Sequence, residues 1–174
     1  MKEYEIKSTL FSKEEIEKMV DNLAKKINED YKDCESLCVI GVLKGAMIFM
    51  SDLIRKLEVK NVTIGFIKAS SYGDSDVSSG NVHIGGDFDF NLSCKDLLIV
   101  EDIIDSGRTL KKLVSIFSDS HNVKTVALFD KPSRRCVDYD ADYVGAVIPD
   151  QFIVGYGLDY AEKYRNLSYV AVLG

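Results

Sequence analysis

Apolar positions along this 174-residue chain fall into two alternating periods. Ile16, Met19, Val20, Leu23, Ala24 and Ile27 recur at helical spacing, and Ser12 with Glu15 makes a capping-box start just ahead of them. Leu37 to Val42 reads as a buried strand. A second helix is predicted after Gly45, with Ala46, Met50, Leu53, Ile54 and Leu57 on one side. Val62, Ile64 and Phe66 alternate, which predicts a strand with one core-facing side. Leu97 to Val100 is another buried strand, and Leu110, Leu113, Val114 and Phe117 line one face of a third helix. Thr125–Phe129 and Tyr143–Ile148 are further strands, and Ser168–Leu173 closes the chain. Strands alternating with helices predict an α/β fold with a mainly parallel twisted sheet flanked by helices.

The stretch LLIVEDIIDSGRTL, residues 97–110, carries the chemistry. Carboxylates Glu101 and Asp102 follow the apolar run, Asp105 comes next, and Ser106-Gly107-Arg108-Thr109 forms a polar turn before the third helix. In open α/β sheets, ligands bind beyond the carboxyl ends of strands. Gly107 lets the backbone approach an anion closely, and the first amides of a helix lack internal partners. Such a turn suits a phosphate. The neighbouring acids would repel a phosphate and need another partner: the vicinal hydroxyls of a sugar, a bound Mg²⁺, or both.

Bulk properties narrow the field. A single domain spanning 1–174 is expected, long enough to bury a real core. The net charge of −6 argues against broad nucleic-acid binding. No apolar run reaches membrane-spanning length, and the start MKEYEIKS lacks a signal-peptide core. Cys34, Cys38, Cys94 and Cys136 without an export signal point to reduced thiols in the cytoplasm, and no histidine stands at zinc-ligand spacing to them.

The run VEDIIDSGRT resembles the phosphoribosyl-pyrophosphate (PRPP) signature of type I phosphoribosyltransferases, in the form found in the hypoxanthine-guanine branch. Leu43-Lys44-Gly45, Ser71-Tyr72, Lys131, the segment PDQFIVGYGLDY (149–160) and Arg165 agree with that family in order, so the resemblance runs from about Val39 to Leu173. Two positions depart mildly: Ser106 stands where Thr is found in some forms, and Arg108 where Lys is common.

The resemblance implies a type I phosphoribosyltransferase fold, with a small hood built from the N-terminal residues and about 149–170, and a lid loop over about 70–95 presenting Ser71 and Tyr72. It implies Mg²⁺-dependent purine salvage: transfer of ribose 5-phosphate from PRPP to hypoxanthine or guanine, forming IMP or GMP and pyrophosphate. Asp105 would be the general acid/base near N7 of the purine, and Asp105, Ser106, Gly107, Arg108 and Thr109 would bind the 5′-phosphate. Glu101 and Asp102 would hold the ribose hydroxyls, directly or through metal. Leu43, Lys44, Gly45 and Arg165 would face pyrophosphate, with the Leu43–Lys44 peptide cis. Lys131 would donate to the 6-oxo group, Phe152 would stack on the base, and backbone near Ile153 and Asp159 would read its 2-position, Asp159 also contributing to a second Mg²⁺. Homodimers or homotetramers are expected, with small-molecule partners rather than nucleic acid or membrane. The residues alone leave two alternatives open: an enzyme for xanthine or another base, and a PRPP-sensing regulator that binds nucleic acid.

Overall fold

The structure is a computed structural model that describes residues 5–71, 82–85 and 93–174. Six strands form the main sheet: β2 (Ser36–Leu43), β3 (Asn61–Ser71), β4 (Val82–Gly85), β5 (Asp96–Ile104), β6 (Asn122–Asp130) and β7 (Tyr143–Val147). Their spatial order is β4-β3-β2-β5-β6-β7, parallel throughout except for β4, which runs antiparallel to β3. A smaller antiparallel sheet joins the two ends of the chain, with β9 (Val170–Leu173) between β1 (Ile6–Phe11) and β8 (Ile153–Val154).

The alternation of side chains splits the core into two layers. Leu37 and Val39 of β2, Leu98 and Val100 of β5, and Val126 and Leu128 of β6 pack with α1 (Lys13–Asp30) and α2 (Ala46–Ile54). Cys38, Ile40, Leu97, Ile99 and Ala127 face the other way, onto Leu110, Leu113 and Phe117 of α3 (Arg108–Phe117). Both faces of the central strands are therefore covered, which is why their sequences are nearly continuous apolar runs. The start of α1 follows the expected reciprocal cap: Ser12 Oγ accepts from the Glu15 N–H at 3.2 Å, and Glu15 Oε2 accepts from the Ser12 N–H at 2.8 Å.

Three elements differ from the sequence expectation. The alternating apolar side of β3 is only partly covered: Val62 packs against the core, but Ile64 is 48% and Phe66 40% exposed, while Gly65 and Ile67 are buried. Period-two alternation shows that one side of a strand is apolar, but not what covers it. Here α2 packs over β2, leaving much of that side of β3 uncovered. Strand β5 outruns its apolar stretch and continues through Glu101 and Asp102 to Ile104. The third helix begins at Arg108, two residues before its first apolar position.

From β2 the chain winds outward to β3 and β4, then returns to β5 on the opposite side of β2. The β2/β5 junction is thus a topological switch point, where the loops after the two strands diverge and leave a crevice. The expected lid falls largely outside the described residues, Tyr72 included; of Ser71 only the backbone, at the end of β3, is described.

Candidate active site at the sheet switch point

Leu43, Lys44 and Gly45 after β2, Glu101 and Asp102 of β5, and Thr109 of α3 line a cleft of about 250 Å³, which Asp159 and Arg165 complete from the C-terminal segment. Glu101 and Thr109 also border an adjoining hollow of about 80 Å³ with Asp105, Ser106 and Gly107. Residues of the 101–109 run and the downstream Asp159 and Arg165 thus converge on one place.

Each part has a local cause. Gly107 takes φ +80° at the head of α3, a conformation that side-chain-bearing residues rarely adopt. Gly107, Thr109 and Leu110 at the start of α3 border the smaller hollow, and the first helical turn carries no acidic side chain. Ser106 Oγ stays close, accepting from the Arg108 N–H at 3.4 Å. The Leu43–Lys44 peptide is cis. Gly45 is required by contact: a Cβ there would lie 1.7 Å from Asp102 Oδ2. Gly157, at φ +101°, brings the C-terminal segment equally close, since a Cβ on it would lie 2.2 Å from the Gly45 carbonyl oxygen.

The two β5 carboxylates are electrostatically uncomfortable. Burial pushes the Glu101 carboxyl well above the usual range, and adjacent Asp102 adds like-charge repulsion. Burial also raises Asp102, opposed by its hydrogen bond from the Ile103 N–H at 3.0 Å and by the charge of Arg165. Glu101 Oε2 is sealed from solvent with no hydrogen-bond partner. A buried, unpartnered carboxylate oxygen beside a second carboxylate suits a cation or a hydroxyl donor. Among the described residues no three His, Cys, Asp or Glu side chains form a ready metal cage. Two carboxylates nevertheless fit Mg²⁺, which takes few protein ligands and completes its shell from substrate and water.

This strain has a measurable consequence. A raised folded-state pKa means that Glu101 contributes stability at acid pH and loses it as pH rises through the shifted value. Glu101→Gln replaces repulsion toward Asp102 with an amide donor, so the ligand-free variant is expected to be more stable at pH 8 by about 1 kcal/mol, or about 2–4 °C in Tm. The gain should shrink toward pH 5. Calorimetry at the two pH values checks this, and a variant less stable at pH 8 would contradict it.

Lys131, Phe152 and Ile153 line neither the cleft nor the adjoining hollow; Lys131 is buried, with Nζ donating to the Gln151 carbonyl at 2.6 Å. Phe152 is 53% exposed and meets Tyr160 edge-on at 5.7 Å, while Ile153 beside it is buried. Arg165 is not a solvent-facing cation. Its Nη1 donates to the Gly157 carbonyl at 2.7 Å, and its Nη2 lies 2.7 Å from Asp159 Oδ1. The Asp159 expected to serve a metal is therefore already ion-paired.

Sequence reasoning missed two arginines in the turn after Lys131. Arg134 Nε lies 3.0 Å from Asp105 Oδ1, and its Nη1 is 3.2 Å from Asp150 Oδ1. Arg135 Nη1 donates to the Asp105 carbonyl at 2.9 Å, and its Nη2 contacts Asp130 at 2.5 Å. The signal was the basic pair in KPSRR, three and four residues past Lys131.

Comparison with known proteins agrees with this geometry. Residues 7–161 match the phosphoribosyl transferase domain model. The chain belongs to the phosphoribosyltransferase family. It is 49% identical over 175 residues to the hypoxanthine-guanine phosphoribosyltransferase of Bacillus subtilis (strain 168), covering 99% of this chain and 96% of that one. It is 47% identical, with the same coverage, to the enzyme of that name from Streptococcus agalactiae. A Bacillus anthracis hypoxanthine-guanine phosphoribosyltransferase crystal structure superposes with a TM-score of 0.88 at 46% identity, covering 99% of both chains. The parallel sheet with its small antiparallel companion is thus the type I phosphoribosyltransferase fold.

Proposed function

We propose that this phosphoribosyltransferase serves purine salvage, moving the 5-phosphoribosyl group of PRPP onto hypoxanthine or guanine with release of pyrophosphate. The observation that carries the proposal is the single crevice joining the phosphate turn, the paired carboxylates, Lys44 and Arg165. The similarity to enzymes named for this reaction supports it.

In this reading the 106–109 turn and the amides of α3 take the 5′-phosphate. Glu101 and Asp102 clasp the ribose hydroxyls and would hold Mg²⁺, which when bound neutralises the departing pyrophosphate. Lys44 and Arg165 meet the same group, with the backbone of Leu43–Gly45 beneath it. As the anomeric bond lengthens, positive charge develops on the sugar, and the nearby carboxylates favour it. Asp105 exchanges a proton with N7 of the purine. Phe152, exposed when ligand-free, gains a stacking partner in the base. Lys131 donates to a 6-oxo group but would set donor against donor at a 6-amino group, so adenine is rejected. Backbone near Ile153 and Asp159 faces the 2-position. Asp159 would also serve a second Mg²⁺ through water.

The test mixes protein, PRPP and Mg²⁺ with hypoxanthine, guanine, xanthine, adenine or uracil and resolves the nucleotides formed. IMP and GMP are the expected products. Turnover of adenine or uracil instead, or nucleic-acid binding without turnover, would overturn the assignment.

A cytoplasmic enzyme that assembles with its own copies completes the proposal. No described helix is long and apolar enough to cross a membrane. Ile64 and Phe66, on the same side of β3 and each at least 40% exposed, are apolar side chains that such self-assembly would cover. Light scattering should give two or four times the monomer mass, and Phe66→Asp should lower it.

A further inference from the structure

The turn at Ala161-Glu162 is chemically unusual. Tyr160 and Lys163 exchange backbone hydrogen bonds at 3.2 and 3.0 Å, closing a tight two-residue hairpin. Both central residues have positive φ, +49° for Ala161 and +64° for Glu162. Hairpins of that shape normally use Asn-Gly or Gly-Gly, because a side chain disfavours the left-handed region. The Asp159 carboxylate supports the turn by accepting from the Glu162 N–H at 2.8 Å.

The turn aims a carboxylate at two cations of the cleft. Glu162 Oε2 lies 2.9 Å from Lys44 Nζ, across 118 residues of sequence, and Oε1 lies 3.6 Å from Arg165 Nη2. These two cations are the ones the functional proposal above assigns to pyrophosphate. Arg165 is held in place independently by Asp159 and the Gly157 carbonyl. Losing Glu162 would therefore leave that guanidinium in position.

We propose that Glu162 is an internal counter-ion of the pyrophosphate site, neutralising Lys44 and Arg165 while the site is empty and yielding them when a diphosphate arrives. The inference rests on the proposed function, which supplies the diphosphate. Lys44 and Glu162 are both more than half exposed, so their pair is screened by water and weak enough to exchange. A diphosphate, with more charge than one carboxylate, wins the competition. Glu162 then sits beside the departing anion as a like charge and favours its release. Its role is to set how tightly pyrophosphate is held, without touching the reacting atoms.

Calorimetric titration of inorganic pyrophosphate with Mg²⁺ into the full chain tests the idea. Glu162→Gln should bind pyrophosphate about fivefold more tightly, with a similar fall in KM for PRPP and no rise in kcat. Glu162→Asp, which keeps the charge but withdraws it by one methylene, should fall between. Affinity for ribose 5-phosphate, which meets the 106–109 turn instead, should stay the same, a separation that a merely structural role would not produce. Unchanged or weaker pyrophosphate binding by the Gln variant overturns the counter-ion role while leaving the enzyme assignment intact. Failure of the natural protein to bind pyrophosphate or form nucleotides overturns that assignment, and this inference with it.

Discussion

Asp105→Asn is expected to lower kcat by about 10²–10⁴-fold, the range a positioned proton donor or acceptor contributes. The change is close to isosteric, and an asparagine oxygen still accepts from Arg134 Nε, now 3.0 Å from Asp105 Oδ1. The backbone at this position is held independently, because Arg135 Nη1 binds the Asp105 carbonyl at 2.9 Å. The half-exposed side chain contributes little burial to the fold, so stability should change by less than about 0.5 kcal/mol. Shape, the 106–109 turn and the hydrogen bond from Arg134 survive, while the carboxylate's charge and its capacity to carry a proton are lost. Steady-state kinetics should therefore show the deficit in kcat, with KM for PRPP within a few-fold of the natural enzyme. A kcat within threefold of normal would remove Asp105 from the chemistry.

Much of this arrangement was legible in the residues, and the parts that were not share a cause. The Ser12–Glu15 cap and the buried strands of the sheet could be read because they depend on neighbours within one turn or one strand. The conformation of the turn was legible because residues 105–109 are contiguous and Gly107 has a conformational reason to be there. Long-range pairing was not. Arg134 reaches Asp105 only because the turn at Pro132–Arg134 folds back beneath the end of β5. The anchors of Arg165, the Gly157 carbonyl and the Asp159 carboxylate, depend on a fold of the C-terminal segment that no local pattern records. The apolar side of β3 was misjudged for a related reason: burial of Ile64 and Phe66 depends on what lies opposite them, which no local pattern records. The β5 acids were expected just past a strand end, yet the strand carries them into the sheet, where burial disturbs them.

The sharpest consequence of that close packing concerns a residue without a side chain. Gly45→Ala is expected to reduce kcat/KM for PRPP about 100-fold, comparable to the loss from misplacing a reacting group by about 1 Å. The added Cβ would lie 1.7 Å from Asp102 Oδ2 and 2.5 Å from its Cγ, well inside any allowed contact. Asp102 cannot simply step aside, since Oδ1 is tied to the Ile103 N–H at 3.0 Å and the residue lies within β5. Gly45 cannot retreat either, because its carbonyl backs onto Gly157, where even a methyl would be 2.2 Å away. Either the β5 carboxylate rotates away from the ribose and metal position, or the Leu43–Gly45 backbone lifts from the pyrophosphate position. Both routes damage the same substrate, so the loss should fall on PRPP and on the Mg²⁺ concentration needed for half-maximal rate. Binding of the purine, which the proposed function places against Lys131 and Phe152, should change little. Measuring KM for PRPP, the Mg²⁺ requirement and the base KM separately distinguishes this outcome from general unfolding, which would lower active enzyme concentration and leave all three constants unchanged.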